Sequence, residues 1–119
     1  MSHERSSRHW RERVRVMVED IVRARAFIQG HTRESFVSDE KTVFAICYAF
    51  VRLGEAVPHV PDDIRAAHPE IEWRDVRQFR NFMIHVYLAV DPARLYDTAV
   101  HDLPRLEEQL RAVLNDQRE

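Results

Sequence analysis

The side chains best suited to chemistry lie in one short stretch: Arg80, Asn81, His85 and Tyr87. Placed on a helix from Glu72 to Leu88 at about 100° per residue, Trp73, Val76, Phe79, Met83, Ile84 and Tyr87 form one broad apolar face. Arg80 falls within that face. A guanidinium keeps its charge and is costly to bury unpaired, so Arg80 pairs with an acid in a structural salt bridge, snorkels, or lines a cleft. A second, narrow stripe is polar and runs through Arg74, Gln78, Asn81 and His85. Asn81 and His85 are neighbours on it, and an amide beside an imidazole can fix the tautomer that a general acid or base needs. The plainer alternative is a solvated polar face. Positions five apart differ by about 140° on a regular helix, so Arg80 and His85 do not share a face. Long side chains, a distorted last turn before Asp91, or a partner subunit must bring them together. Phe82 stands at the edge of the polar stripe and packs either on another chain or on a neighbouring helix.

The elements that position this stretch read as helices. From Trp10 to Ile28, the apolar residues Trp10, Val14, Met17, Val18, Ile21, Val22 and Ile28 recur at helical steps with Arg11, Arg15, Glu19 and Arg23 between them. Gly30 is placed to end this helix, and a short turn is expected around Arg33 to Val37. Ser38, followed by Asp39 and Glu40, is a good start for a second helix running to about Val57. Its apolar residues Val43, Phe44, Ile46, Cys47, Tyr48, Phe50, Val51 and Leu53 cover most of the circumference, which predicts the most buried helix of the set, closed by Pro58 and Pro61. Pro61 to Pro69 reads as a connection with one helical turn. After the third helix, Asp91-Pro92 is a cap followed by a first-position proline. Leu95, Ala99 and Leu103 face inward, and Leu103, Leu106, Leu110, Val113 and Leu114 continue the stripe. Pro104 predicts a kink or a restart between these two runs. The expected fold is all-α, an up-and-down bundle of four to five helices in a single domain, 1–119, with 1–8 and 116–119 fraying.

Composition narrows the function. The chain has 18 basic and 20 acidic residues and a formal charge of −2, which argues against a protein that coats polyanions by counterion release. Any RNA is handled at a local site. The single cysteine, Cys47, forms no intrachain disulfide, sits among apolar neighbours and fits a reducing compartment. No run approaches the roughly 18 to 20 apolar residues that cross a bilayer, and no signal core opens the chain, so a cytoplasmic protein without a membrane partner is expected.

Arg80-Asn-Phe-Met-Ile-His85-Val-Tyr87 resembles the motif of the HepT-like family in the HEPN superfamily: Arg, four residues, His, one residue, Tyr, with a polar residue directly after the Arg. Trp73-Arg-Asp-Val before it, Val90-Asp91 after it and Asp102-Leu103-Pro104 with its following leucines also look like the family. The resemblance covers roughly the C-terminal half and is weaker before it. It implies the toxin of a prokaryotic type VII-like toxin–antitoxin pair: a metal-independent endoribonuclease, needing no cofactor, whose active cleft forms in a homodimer. By this resemblance Arg80 and His85 are the catalytic pair, Asn81 supports His85, and Tyr87 accepts AMP from a cognate minimal nucleotidyltransferase, the antitoxin.

Two rival classes remain. A non-catalytic HEPN module could bind a nucleotide or a protein and act with a nucleotidyltransferase, although intact Arg80, Asn81 and His85 weigh against it. A metal enzyme is the other, but the seven histidines show no ligand spacing such as His-Glu-x-x-His. Cys47 and Tyr48 read as core, and His59, His68, Asp62 and Asp63 as loop residues.

Overall fold

The computed structural model describes residues 2–82 and 91–117, with side chains from His9 onward. Among them there are no strands. Three long helices, α1 (Ser2–Ile28), α3 (Glu40–Ala56) and α6 (Pro92–Leu114), make the bundle, with α1 packed against both others. Three six-residue helices, α2 (Arg33–Ser38), α4 (Asp62–Ala67) and α5 (Trp73–Gln78), fill the connections. Single 3₁₀ turns follow α3 at Val57–His59 and α5 at Phe79–Asn81.

The core follows the apolar stripes. Trp10, Val14, Met17 and Ile21 of α1 meet Ile46, Phe50 and Leu53 of α3 and Leu95, Leu103, Leu110 and Val113 of α6, all buried. Phe36 of α2 closes one end against Tyr96, at 5.5 Å between ring centroids. Asp20 is the one buried charge among the described residues, and it accepts hydrogen bonds from Arg52 Nε at 2.9 Å and Arg23 Nη1 at 3.2 Å. The bond to Asp20 holds the Arg52 guanidinium above its ordinary pKa. Beyond α6 the chain stays tied to the bundle, since Arg11 donates to the Asp116 carbonyl and His68 Nε2 lies 2.7 Å from the Asp116 carboxylate.

Local signals placed the helix ends well. Asp91 caps α6, its carboxylate accepting from the Arg94 amide at 3.1 Å, and Pro92 takes the first position, where its missing N–H costs nothing. The cap of α3 is Asp39 rather than Ser38. Asp39 accepts from the Thr42 amide at 3.1 Å and its hydroxyl at 2.7 Å, which holds the Asp39 carboxyl below the usual carboxylate range. Ser38 belongs to α2 and donates back to the Glu34 carbonyl.

Three further expectations are corrected. The restart at Pro104 does not occur, and α6 is one helix through it. The carbonyl that Pro104 leaves without a donor is that of Val100, a residue 42% exposed, so water can replace the lost bond while buried Leu103 and Leu106 hold the helix on both sides. Second, α3 is not buried all round. Phe44 and Tyr48 are 55% and 59% exposed, because α1 and the α5 segment cover the other flanks. Tyr48 is therefore not a core residue, and the Arg52 guanidinium lies over its ring at 5.6 Å. Third, the long helix expected from Glu72 to Leu88 starts at Trp73 and tightens into a 3₁₀ turn after Gln78; its last part lies outside the described residues.

Candidate active site

The segment carrying the motif begins with a well-anchored helix. Trp73 is half-buried, and its indole N–H is shared between the Arg65 and His68 carbonyls at 3.2 and 3.1 Å, which fixes the entry to α5. Val76 is buried. Arg77 reaches across to α3, donating to the Gly54 carbonyl at 3.0 Å and lying 3.6 Å from Glu55.

After Gln78 the helix tightens. Gln78, Phe79 and Phe82 have φ, ψ of −73, −11, −57, −26 and −60, −27, and the Phe82 amide bonds the Phe79 carbonyl in the i to i+3 manner. In a 3₁₀ turn residues three apart eclipse, so Phe79 and Phe82 line up on one side. Both rings seat on Phe50, at centroid distances of 4.7 and 5.0 Å, and they stand 6.0 Å from each other. Arg80 and Asn81, between the two buried rings, are turned outward and exposed.

This geometry corrects the placement of Arg80 on the apolar face. That placement came from a uniform 100° step, whereas a 3₁₀ turn advances by about 120° per residue. No carboxylate lies within ion-pair distance of Arg80 among the described residues, so the structural salt bridge has no partner there. Phe82, by contrast, takes the plainer of its two roles as a core ring of its own bundle.

Of the other motif residues, His85 and Tyr87 lie outside the described residues, and with them the question of how Arg80 and His85 meet. Arg74 and Gln78 are exposed, as a polar stripe requires. A groove of about 320 Å³ runs beside Asn81 and is lined also by Gln78, Arg94, Thr98, Asp75 and Asp102. Next to it, the Asp75 carboxylate, which accepts a hydrogen bond from the protonated Glu72 carboxyl and repels its ionised form, raises the Glu72 pKa above its ordinary value. The exposed Arg80 fork and the Asn81 amide can together meet a phosphate and an adjoining polar group. Cys47 is buried, which pushes its thiol pKa up and leaves it a packing residue. Among the described residues no three His, Cys, Asp or Glu side chains group as metal ligands. Nor is any described helix long and apolar enough to cross a membrane.

Two contributors escaped the sequence reading, Gly54 and Arg77. The available signal was Gly54 itself, one of only two glycines, set inside an otherwise regular helical pattern where a glycine usually has a packing reason.

Residues 17–113 match the family described as Ribonuclease HepT-like. The chain belongs to this HepT-like family of the HEPN superfamily. The "probable ribonuclease HepT" of Thermococcus cleftensis is 40% identical over 101 residues, which span 79% of this chain and 92% of the relative. A protein of Caldanaerobacter subterraneus subsp. tengcongensis, named by inference as an RNase, is 28% identical over 76% of this chain and 81% of its own length. A Methanocaldococcus jannaschii protein named in the same way is 27% identical over 76% of this chain and 74% of its own. No solved structure gives a significant match. The HepT-like match spans α3, α5 and the Phe79–Asn81 turn, so the aromatic seat and the outward-facing Arg80 lie wholly within it.

Proposed function

We propose that this HepT-like chain is a metal-independent endoribonuclease, the toxin of a type VII-like toxin–antitoxin pair, with Arg80 and His85 as its catalytic residues. The observation that carries the reading is the Arg80-Asn81 pair, held outward on a buried three-ring seat within the family match. In the proposed reaction the ribose 2′-hydroxyl attacks phosphorus and the bond to the 5′-oxygen breaks. The products are a 2′,3′-cyclic phosphate and a 5′-hydroxyl end. His85 transfers the proton as general acid or base, Asn81 orients its ring, and Arg80 stabilises the charge that grows on the phosphate oxygens. The active cleft is that of a homodimer.

The test is cleavage of a labelled single-stranded RNA in excess chelator. Cleavage is expected to persist at the untreated rate and to leave cyclic phosphate or its hydrolysis product. Activity lost on chelation and restored by zinc or magnesium would return the metal class, and RNA bound but left uncut would favour the binding module.

Regulation completes the proposal. A partner nucleotidyltransferase transfers AMP from ATP to the Tyr87 hydroxyl with release of pyrophosphate, which adds bulk and a negative phosphodiester beside the phosphate site. Tyr87→Phe is expected to keep most of the nuclease activity and to resist silencing by the partner with ATP. Intact mass is the readout: AMP added to Tyr87→Phe as fully as to the parent would mean that another residue is the acceptor.

A further inference from the structure

We infer that Gly54 is a positioning residue for the Arg80 guanidinium: its missing side chain is the space into which the Arg77–Arg80 turn fits. This rests on the reading of Arg80 as catalytic.

Gly54 lies inside α3, one turn after Phe50, where glycine lowers helix stability relative to alanine. Backbone freedom does not account for it, since Gly30 is the glycine with positive φ, at 86°. Space does. A Cβ at position 54 would stand 2.7 Å from the Arg77 carbonyl oxygen, 2.7 Å from the Arg80 amide nitrogen and 3.1 Å from the Arg80 Cβ. Two of these atoms are main chain and cannot swing aside as the end of a long side chain can. The same contact is clasped from the other direction, because the Arg77 guanidinium donates to the Gly54 carbonyl at 3.0 Å. Backbone therefore meets backbone at both ends of the turn, while Phe50 holds the rings flanking Arg80. A methyl group at Gly54 must move the turn off α3 and shift the origin of the Arg80 side chain. A misplacement of about 1 Å in a charge-stabilising group can cost about a hundredfold in rate.

The experiment compares Gly54→Ala, Arg80→Ala and Val113→Ala, the last a core truncation in α6, in steady-state RNA cleavage beside thermal melts. Gly54→Ala is expected to fold, to keep its KM within about threefold and to lose about tenfold or more in kcat. Val113→Ala should melt earlier yet keep kcat per folded molecule. Parental kcat in folded Gly54→Ala, with Arg80→Ala inactive, would overturn the positioning role while leaving the functional reading intact. Full activity in Arg80→Ala would instead overturn the reading beneath it. Should Gly54→Ala not fold, Arg77→Met loosens the same turn without a clash. Its kcat is then expected to fall with KM held, and an unchanged kcat overturns the inference.

Discussion

Arg80→Ala and His85→Ala are each expected to lose RNA cleavage almost completely, by about 10² to 10³-fold or more, while keeping the fold. For Arg80 the structure supplies the second half of that expectation. The side chain is exposed, and among the described residues no carboxylate pairs with it, so its removal leaves no buried charge behind. Substitutions at such positions usually stay within about 0.5 kcal/mol, a change in melting temperature of only a few degrees. Had Arg80 been half of a buried pair, its loss would cost about 3 to 5 kcal/mol and the variant would melt early. For His85 the expectation rests on the motif. Single-turnover cleavage measured beside a melt separates the cases: two folded variants cutting at the parental rate would remove both residues from the mechanism.

What was legible in the sequence was local. The stripes of α1, α3 and α6, the Asp91-Pro92 start and the end at Gly30 depend on neighbours within a turn or two, so residue type and period reveal them. What was not legible depends on partners far along the chain. The phase of the motif changes at Phe79, where two rings eclipse onto Phe50, and a reading at constant pitch therefore turned Arg80 inward. Nothing within α3 tells that Phe44 and Tyr48 face away while Phe50 faces in; the positions of α1 and α5 decide it. Pro104 breaks an isolated helix, but α6 is held by the core against which it packs. At the candidate site Arg80, Asn81 and His85 could be singled out because their residue types can carry chemistry. Its mounting was not, since the contact of Gly54 with Arg77 joins residues 23 apart.

Phe50→Ala is expected to give the largest loss of stability near the site. Phe50 is fully buried and sits in edge-to-face contact with Phe79 at 4.7 Å and tilted against Phe82 at 5.0 Å. Truncating a buried phenylalanine costs about 3 to 5 kcal/mol, because transfer energy is lost and the cavity only partly closes. Aromatic pairs of this geometry add about 0.5 to 1.5 kcal/mol beyond the area they bury. Against a typical stability of about 5 to 15 kcal/mol, the melting temperature should fall by about 10 to 20 °C. Phe36→Ala is the matched control. Phe36 is also fully buried, but it serves the α2–α6 contact through Tyr96 at 5.5 Å rather than the motif turn. Both variants should melt early by similar amounts, which thermal melts followed by circular dichroism will show. Cleavage at a temperature where both remain folded distinguishes them, since only Phe50→Ala unseats the rings on either side of Arg80 and Asn81. Phe50→Leu, which returns most of the volume, should recover stability further than it recovers rate. Equal loss of rate per folded molecule in Phe50→Ala and Phe36→Ala would mean that the three-ring seat stabilises the bundle without orienting Arg80.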